Sequence, residues 1–530
     1  MVLHPIMFAL YPVGFLYVAN QSIFDLSITY IPALVTTVFA GVIWFLLKLW
    51  LQDVKRAAVM TSAIVMGTFS FGALQQFLAS LGSDDGITPF WTTAVAGCCL
   101  AVVLCAAFAM KWRAQIHNVT YVLNIVSLFL VFSPLFQAGM WALASETERE
   151  MLPDRTEFNR NPLADAGPVD GPDIYYFILD GYGRSDVLRE DFGFDNSAFL
   201  AGLTDRGFKI AEQAISNYPV TILSATSTMN FAYLDEPLGF ELDESQDRRF
   251  LRELMRESRA VRLLKSAGYK IVSFEGEYQE ARIGSTDTRV QEWWFLNSFN
   301  IGLLQMTPVA AIFSALDMPV AYELHRTRTL YPFEQMQNVS MIEGAKLVFT
   351  HIYFAHPPFV FGANGERRAS ALDYTWDDGS RLLDEDGSDR QSYIDGYTDQ
   401  VSYLNGKVLE AIDTILKNSE REPIILMHGD HGPGSRYSVD SLEHTNVRER
   451  YSIFYAAHLP DGGNELVYDS LSPVNGLRIV FNKYFGTHYP LLADESYFSP
   501  FTYPYDYARI EGFPPQTEPA LSAEASPSAR

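Results

Sequence analysis

Apolar residues follow two different patterns along this chain. Up to about Leu143 they form long runs, at residues 31–50, 57–81, 90–110 and 119–143. Each run is close to or above the ~20 residues that cross a bilayer core as helix. A shorter run at 5–20 is interrupted by Pro12 and reads as a spanning or re-entrant helix. It lacks the basic n-region and small-residue cleavage site of a signal peptide. The expectation is a five-helix transmembrane module over residues 1–144. Beyond it the pattern shortens. Residues 145–172 are polar and Pro-containing, a linker. Strand-length apolar runs then recur at 173–180 (DIYYFILD), 269–274, 347–354, 424–427 and 451–458. Between them, Ile394, Tyr397, Val401, Leu404, Val408, Ile412 and Ile415 step by three or four and predict a long helix over 393–416. Buried strands alternating with helices predict an α/β sandwich with a largely parallel sheet over 173–510. The Pro/Ala/Ser-rich stretch 511–530 reads as a disordered tail.

Charge separates the same two regions. The net charge is -24. Residues 1–144 hold Lys48, Lys55, Arg56, Lys111 and Arg113 against Asp25, Asp53, Asp84 and Asp85. The acidity therefore belongs almost wholly to the rest of the chain, which makes phosphate-gripping contacts to nucleic acid a poor prospect. Basic loops follow the second and fourth runs, and acidic residues follow the first and third. The positive-inside rule then places the N-terminus in the cytoplasm and everything after Leu143 outside. Trp44, Trp50, Trp91, Trp112 and Trp141 fall near run ends, where interfacial anchors sit. Cys98, Cys99 and Cys105 all lie in the fourth run and read as small packing residues. The exported portion has no cysteine, hence no disulfide and no cysteine nucleophile. The acidic run 377–389 (DDGSRLLDEDGSD) fits no EF-hand spacing and reads as a solvated loop.

In open α/β sheets, ligands gather beyond the carboxyl ends of the strands. Three segments put polar groups there: Asp180 ending ILDGYG, the turn-and-helix start Ser216-Asn217-Tyr218-Pro219-Val220-Thr221-Ile222-Leu223-Ser224, and His428-Gly429-Asp430-His431-Gly432. Two carboxylates and an imidazole at strand ends are a plausible divalent-metal set. A hydroxyl on a helix N-terminus beside them can serve as nucleophile, its pKa lowered by the metal. Each piece alone has a plainer reading: Asp-Gly after a strand is commonly a turn, and Thr at a helix start commonly a cap. Ser224 and Ser227 stay open as alternative hydroxyls.

Taken in order, ILDG, NYPVT-ILS and GDHG resemble the alkaline phosphatase/sulfatase superfamily. More narrowly, the chain resembles its membrane-anchored branch of lipoteichoic acid synthases and phosphoethanolamine transferases. Ala355-His356-Pro357-Pro358-Phe359 and Glu449-Arg450-Tyr451-Ser452-Ile453-Phe454 are further similar stretches. The resemblance implies an alkaline phosphatase-like fold in which Asp180, Thr221, Asp430 and His431 surround one divalent ion, Mn2+ or Zn2+. It implies Thr221 as nucleophile, His356 on the phosphate, and His444 facing the substrate. Sulfatases need a cysteine where this chain has Thr221, so sulfatase chemistry is not expected. No Asp-x-x-x-His segment lies between Thr221 and Asp430, which favours one ion over two. The phosphoethanolamine transferases of this branch carry disulfides, which this exported domain lacks.

The function expected is transfer of a phospholipid head group, phosphoglycerol ahead of phosphoethanolamine, through a phosphothreonine. The partners are a phospholipid donor and an envelope glycan or lipid acceptor, and the place is the outer face of a bacterial inner membrane. A metal-dependent phosphodiesterase of the same superfamily is the first alternative. A catalytically silent membrane sensor or scaffold is the second.

Overall fold

The computed structural model describes residues 1–81, 97, 115–163, 169, 171–239, 241–274, 276, 278–290, 297–316, 320–368, 377–383 and 389–513. The span expected at 90–110 with its three cysteines, residues 384–388 of the acidic run, and residues 514–530 of the expected tail lie outside these. The chain forms two compact units. One is Met1–Leu152 with Asp247–Arg249 and Gln291–Arg328; the other is Pro153–Gln246, Phe250–Val290 and Thr329–Arg530.

The first unit is helical: α1 (His4–Ala19), α2 (Tyr30–Leu51), α3 (Val54–Phe69), α4 (Phe71–Leu81) and α5 (Ile116–Arg149). Five spans were expected. Among the described residues only two helices, Leu26–Leu51 and Ile116–Arg149, are long and apolar enough to cross a membrane. Of the other three, the run at 90–110 lies outside the described residues, and two physical reasons account for the remaining two. First, α1 has 16 residues, about 24 Å at ~1.5 Å per residue. It also starts part-way along its neighbours. The His4 Nδ1 lies 2.6 Å from Ser62 Oγ, and the His4 N–H donates to Asn124 Oδ1 at 3.0 Å. Both partners sit about 12 Å into their own helices. Second, the run at 57–81 is broken at Ser70. The Gly72 N–H donates to the Met306 carbonyl (3.1 Å), and a Cβ at Gly72 would lie 2.5 Å from the Gln305 oxygen. The approach of another segment's backbone interrupts the helix there.

The second unit is built on a seven-stranded sheet in the order β2-β7-β6-β1-β5-β3-β4. The strands are β1 (Ile174–Leu179), β2 (Lys209–Ile210), β3 (Lys270–Phe274), β4 (Thr288–Val290), β5 (Lys346–Ile352), β6 (Ile424–His428) and β7 (Tyr455–His458). From β6 through β1, β5 and β3 to β4 all pairs are parallel; β7 runs antiparallel to β6, and β2 to β7. The sheet is thus mixed, with the expected parallel core. β1, IYYFIL, is buried on both faces, as a central parallel strand must be. Three helices bear on the site: α6 (Thr221–Asn230), α7 (Arg390–Asn418) and α8 (Val447–Tyr451). The sequence-derived helix over 393–416 is the body of α7. Ile178 is level with both His351 and His428, so the carboxyl ends of β5, β1 and β6 lie side by side.

Candidate metal centre

Asp180 follows β1 directly, His351 is the penultimate residue of β5, and Asp430 comes two residues after β6. Their ligand atoms all lie within 4.8 Å of one another. Asp180 Oδ2 is 3.2 Å from His351 Nε2, and Asp180 Oδ1 is 3.4 Å from His431 Nε2. His431 Nε2 also stands 3.5 Å from Asp430 Oδ2. All four side chains are buried.

Backbone contacts hold them. The Asp180 N–H donates to the Ile352 carbonyl (2.9 Å), and Ala355 N–H donates to the Asp180 carbonyl (2.8 Å). Gly181 N–H donates to Asp430 Oδ1 at 3.1 Å. Gly181 has φ +74°, and a Cβ there would lie 2.9 Å from the Ala355 oxygen, so this turn admits only glycine comfortably. At Gly432 a Cβ would come within 2.1 Å of the Glu449 carbonyl oxygen.

The donor set fits a divalent cation on electrostatic grounds. Both Asp180 oxygens and Asp430 Oδ2 are buried with no hydrogen-bond partner. His431 Nδ1 lies 3.0 Å from the Gly432 carbonyl, which can only accept, so Nδ1 carries the hydrogen. Burial, with the Arg450 charge nearby, pushes the His431 imidazole below its ordinary value. Its Nε2 therefore presents a lone pair to two carboxylates. Buried carboxylate oxygens without hydrogen-bond partners, facing an imidazole lone pair, are satisfied by a cation. A ring N–H tied to a backbone carbonyl is also how a metal-binding histidine is oriented. Burial pushes the His351 ring down, but Asp180 and Asp430 beside it prevail and hold it above the ordinary value. Burial likewise works to raise Asp430. His431, His351, the Thr221 hydroxyl and the Gly181 N–H outweigh it and keep that carboxyl far below the carboxylate range.

Four of the sequence-derived residues, Asp180, Thr221, Asp430 and His431, thus come together. Thr221 is the first residue of α6, preceded by extended Val220 (φ −135°, ψ 147°), and its side chain is buried. His356 lies alongside, its ring 6.2 Å from that of His431 and its Nδ1 2.7 Å from the Pro357 carbonyl. His444 is exposed, its backbone N–H donating to Ser441 Oγ at 3.4 Å, and is not part of the cluster. His428, though inside the same motif, is a core residue. Its Nδ1–H donates to the Gly429 carbonyl (2.8 Å), and Nε2 accepts from the Tyr176 hydroxyl (2.9 Å). Burial pushes it to about 4, so it stays neutral.

Three residues were missed. His351 lies within an apolar strand run, and its only signal was a lone imidazole at the carboxyl end of a parallel strand. Arg450 and Asp378 form a buried latch. Arg450 Nη1 donates to Asp378 Oδ2 (2.7 Å) and to the Gly432 carbonyl (3.2 Å), while Nε donates to the Pro219 carbonyl (2.8 Å). The guanidinium lies 3.9 Å over the Tyr437 ring. One cation thereby joins the segment before Thr221 to the segment after His431. Burial works to raise Asp378, but Arg450, His356 and His431 hold it down at about 2. Asp378 belongs to the acidic run expected to be solvated; the Arg450 charge draws it inside.

No family model matches this chain, and no curated protein does. Among solved structures it is similar to lipooligosaccharide phosphoethanolamine transferase A from Neisseria meningitidis, an integral membrane protein. The identity is 12% and the TM-score 0.37, over 89% of this chain and 93% of that one. It is similar to the C-terminal periplasmic domain of EcEptC from Escherichia coli at 12% identity and TM-score 0.38, covering 64% of this chain and 92% of that one. The putative sulfatase yidJ from Bacteroides fragilis gives 12%, TM-score 0.39, 63% and 82%. A phosphoethanolamine transferase and a putative sulfatase are thus among the structures it is similar to. At these identities and TM-scores none of them carries an activity over to this chain.

Proposed function

We propose that this protein is a metal-dependent phosphotransferase that moves a phospholipid head group to an acceptor at the outer face of a membrane. The observation that carries the reading is the buried convergence of unpartnered Asp180, His351 and Asp430 atoms beside a hydroxyl, Thr221, on the N-terminus of a ten-residue helix. Asp180, His351, Asp430 and His431 would hold one divalent ion, zinc or manganese, with Thr221 at its edge. Such an ion lowers the pKa of a neighbouring hydroxyl and neutralises phosphoryl charge.

Thr221 Oγ attacks phosphorus of the donor; the Oγ–P bond forms as the bond to the diacylglycerol oxygen breaks. The α6 N-terminus faces the developing negative charge. His356, whose Nδ1–H is tied to Pro357, has Nε2 left to take the Thr221 hydroxyl proton and hand it to the leaving alkoxide, and in the second step to take the acceptor hydroxyl proton and return it to Thr221 Oγ. The acceptor then displaces Thr221 and carries the head group away. His444 would meet the substrate from the solvent side. Phosphoglycerol is proposed ahead of phosphoethanolamine, since the exported domain lacks the disulfides of the phosphoethanolamine transferases it resembles. The acceptor would be an envelope glycan or lipid.

The test is the intact mass of the protein after incubation with phosphatidylglycerol or phosphatidylethanolamine and a divalent metal, without acceptor. A glycerophosphate or phosphoethanolamine adduct, lost in Thr221→Ala, is expected. Steady head-group release without an adduct would indicate a hydrolase, and activity surviving Thr221→Ala would overturn the nucleophile.

A further inference from the structure

The segment Gln291–Arg328 lies, in sequence, inside the second unit, yet it packs as part of the first. Residues 297–316 contain no Asp, Glu, Lys, Arg or His, in the most acidic part of the chain. They form two short helices, Ser298–Gln305 and Pro308–Ala315, too short to cross a bilayer.

The first of these helices is pinned. Phe299 and Leu303, four residues apart on one face, pack against Val13 of α1, with Phe24, Ile28 and Phe69 around them. Phe24 and Phe299 meet edge to face at 5.6 Å. These partners all belong to one end of the helical unit: the later half of α1, the approach to α2 and the last residue of α3. The other end is marked by Lys48, Lys55 and Arg56 and by the apolar cluster of Val59, Met60 and Ile116. Basic loops stay in the cytoplasm, so the pinned helix sits at the outer end.

Ile312 of the second helix is 51% exposed and Leu316, just after it, 63%, comparable with Leu34 at 63% and Val35 at 59% on the candidate span α2. We propose that residues 298–316 are an interfacial hairpin whose Ile312 and Leu316 rest in the boundary between head groups and acyl chains of the outer leaflet. A charge-free helix pair, pinned through its first helix to that end of the helical unit and exposing Ile312 and Leu316, is suited to a lipid surface. The chain passes between the two units at 152/153, 246/247, 249/250, 290/291 and 328/329. The hairpin is thus joined to the second unit by the chain at 290/291 and 328/329.

The test places nitroxide labels at Ile312→Cys and Leu316→Cys in full-length protein reconstituted in vesicles, with Cys98, Cys99 and Cys105 replaced by Ala. Accessibility to oxygen and to a water-soluble nickel chelate is read by electron paramagnetic resonance. A label at Phe129→Cys on α5, 70% exposed, is the deep reference. The expected result is oxygen accessibility exceeding nickel accessibility at both positions, at a shallower depth than position 129. High nickel accessibility at 312 and 316, or occlusion from both reagents, with position 129 in lipid, overturns the hairpin. An aqueous reading at position 129 overturns the membrane assignment itself, and the hairpin with it.

Discussion

Arg450→Met should loosen the seven-stranded sheet far more than its two-atom deficit in hydrogen bonding suggests, because it strands a buried anion. Asp378 is held at about 2, against an ordinary ~3.9, although burial alone would raise it. That difference corresponds to about 2–3 kcal/mol of charged-form stabilisation that depends first on Arg450. The variant also leaves the Pro219 carbonyl without its 2.8 Å donor and removes one from Gly432. Removing one partner of a buried ion pair costs about 3–5 kcal/mol in general, which agrees with these parts taken together. The assay is hydrogen–deuterium exchange of peptides covering β1, β5 and β6 in the full chain, since strand amides there report opening of this unit. Protection should fall roughly 150- to 5,000-fold, at ~1.36 kcal/mol per factor of ten. Asp378→Asn combined with Arg450→Met removes both charges and should recover part of that loss, with a coupling of about 2 kcal/mol. A loss below tenfold in Arg450→Met, or strict additivity in the double variant, would refute the latch.

The centre's electrostatics lead to three further expectations. Wild-type protein loaded with zinc or manganese should hold about one ion per chain by elemental analysis, and Asp180→Asn or Asp430→Asn should hold almost none. After chelation, Asp430→Asn should still melt below metal-free wild type, because His431, His351, the Thr221 hydroxyl and the Gly181 N–H stabilise the Asp430 charge in the metal-free fold; equal or higher melting would contradict that electrostatic account. His351 is held above the ordinary imidazole value, so in metal-free protein its proton contributes stability that is present below ~6.5 and lost as pH rises through its folded value. Metal loading must displace that proton. Affinity should therefore rise with pH, and calorimetry in two buffers of different ionisation enthalpy should show proton release, whereas buffer-independent heats would contradict it. Tyr176→Phe leaves His428 Nε2 buried without its 2.9 Å donor and should cost about 1–3 kcal/mol, read as reduced protection in β1 and β6. Unchanged protection there would mean that the bond contributes little.

What was legible in the sequence follows from how local the cause was. β1, β5 and β6 are short continuous apolar runs because both faces of the sheet are covered there, and that composition needs no partner to be recognised. Asp180 and Asp430 stood out because a carboxylate ending such a run has no role in the strand. His351 did not, because it sits inside its run, one residue before the end, and only the register with Ile178 brings it beside Asp180. The Arg450–Asp378 pair spans 72 residues; Asp378 lies in a run that reads as solvated, and Arg450 stood only in the family-like stretch 449–454 with no partner indicated. β2 and β4 have two and three residues, too few for any period to appear. The interruption at Ser70 has its cause at Met306, far along the chain. Nothing in the run at 57–81 announces it.

The charge inventory around the centre bears on how an anionic head group could approach it. The surrounding domain is strongly acidic, and Asp180, Asp430 and Asp378 add to that locally. The one guanidinium in the latch is already taken by Asp378 and by the Pro219 and Gly432 carbonyls. His431 is neutral, and His351 faces Asp180. The N-terminus of α6 contributes a partial positive charge equivalent to about half a unit. A divalent cation reverses the sign of the cluster, and no protein group named here substitutes for it. On this reading the cation is required for the anion to enter as well as for the chemistry that follows, so its removal should raise the apparent KM for the donor and lower kcat together, where a purely chemical role would lower kcat alone.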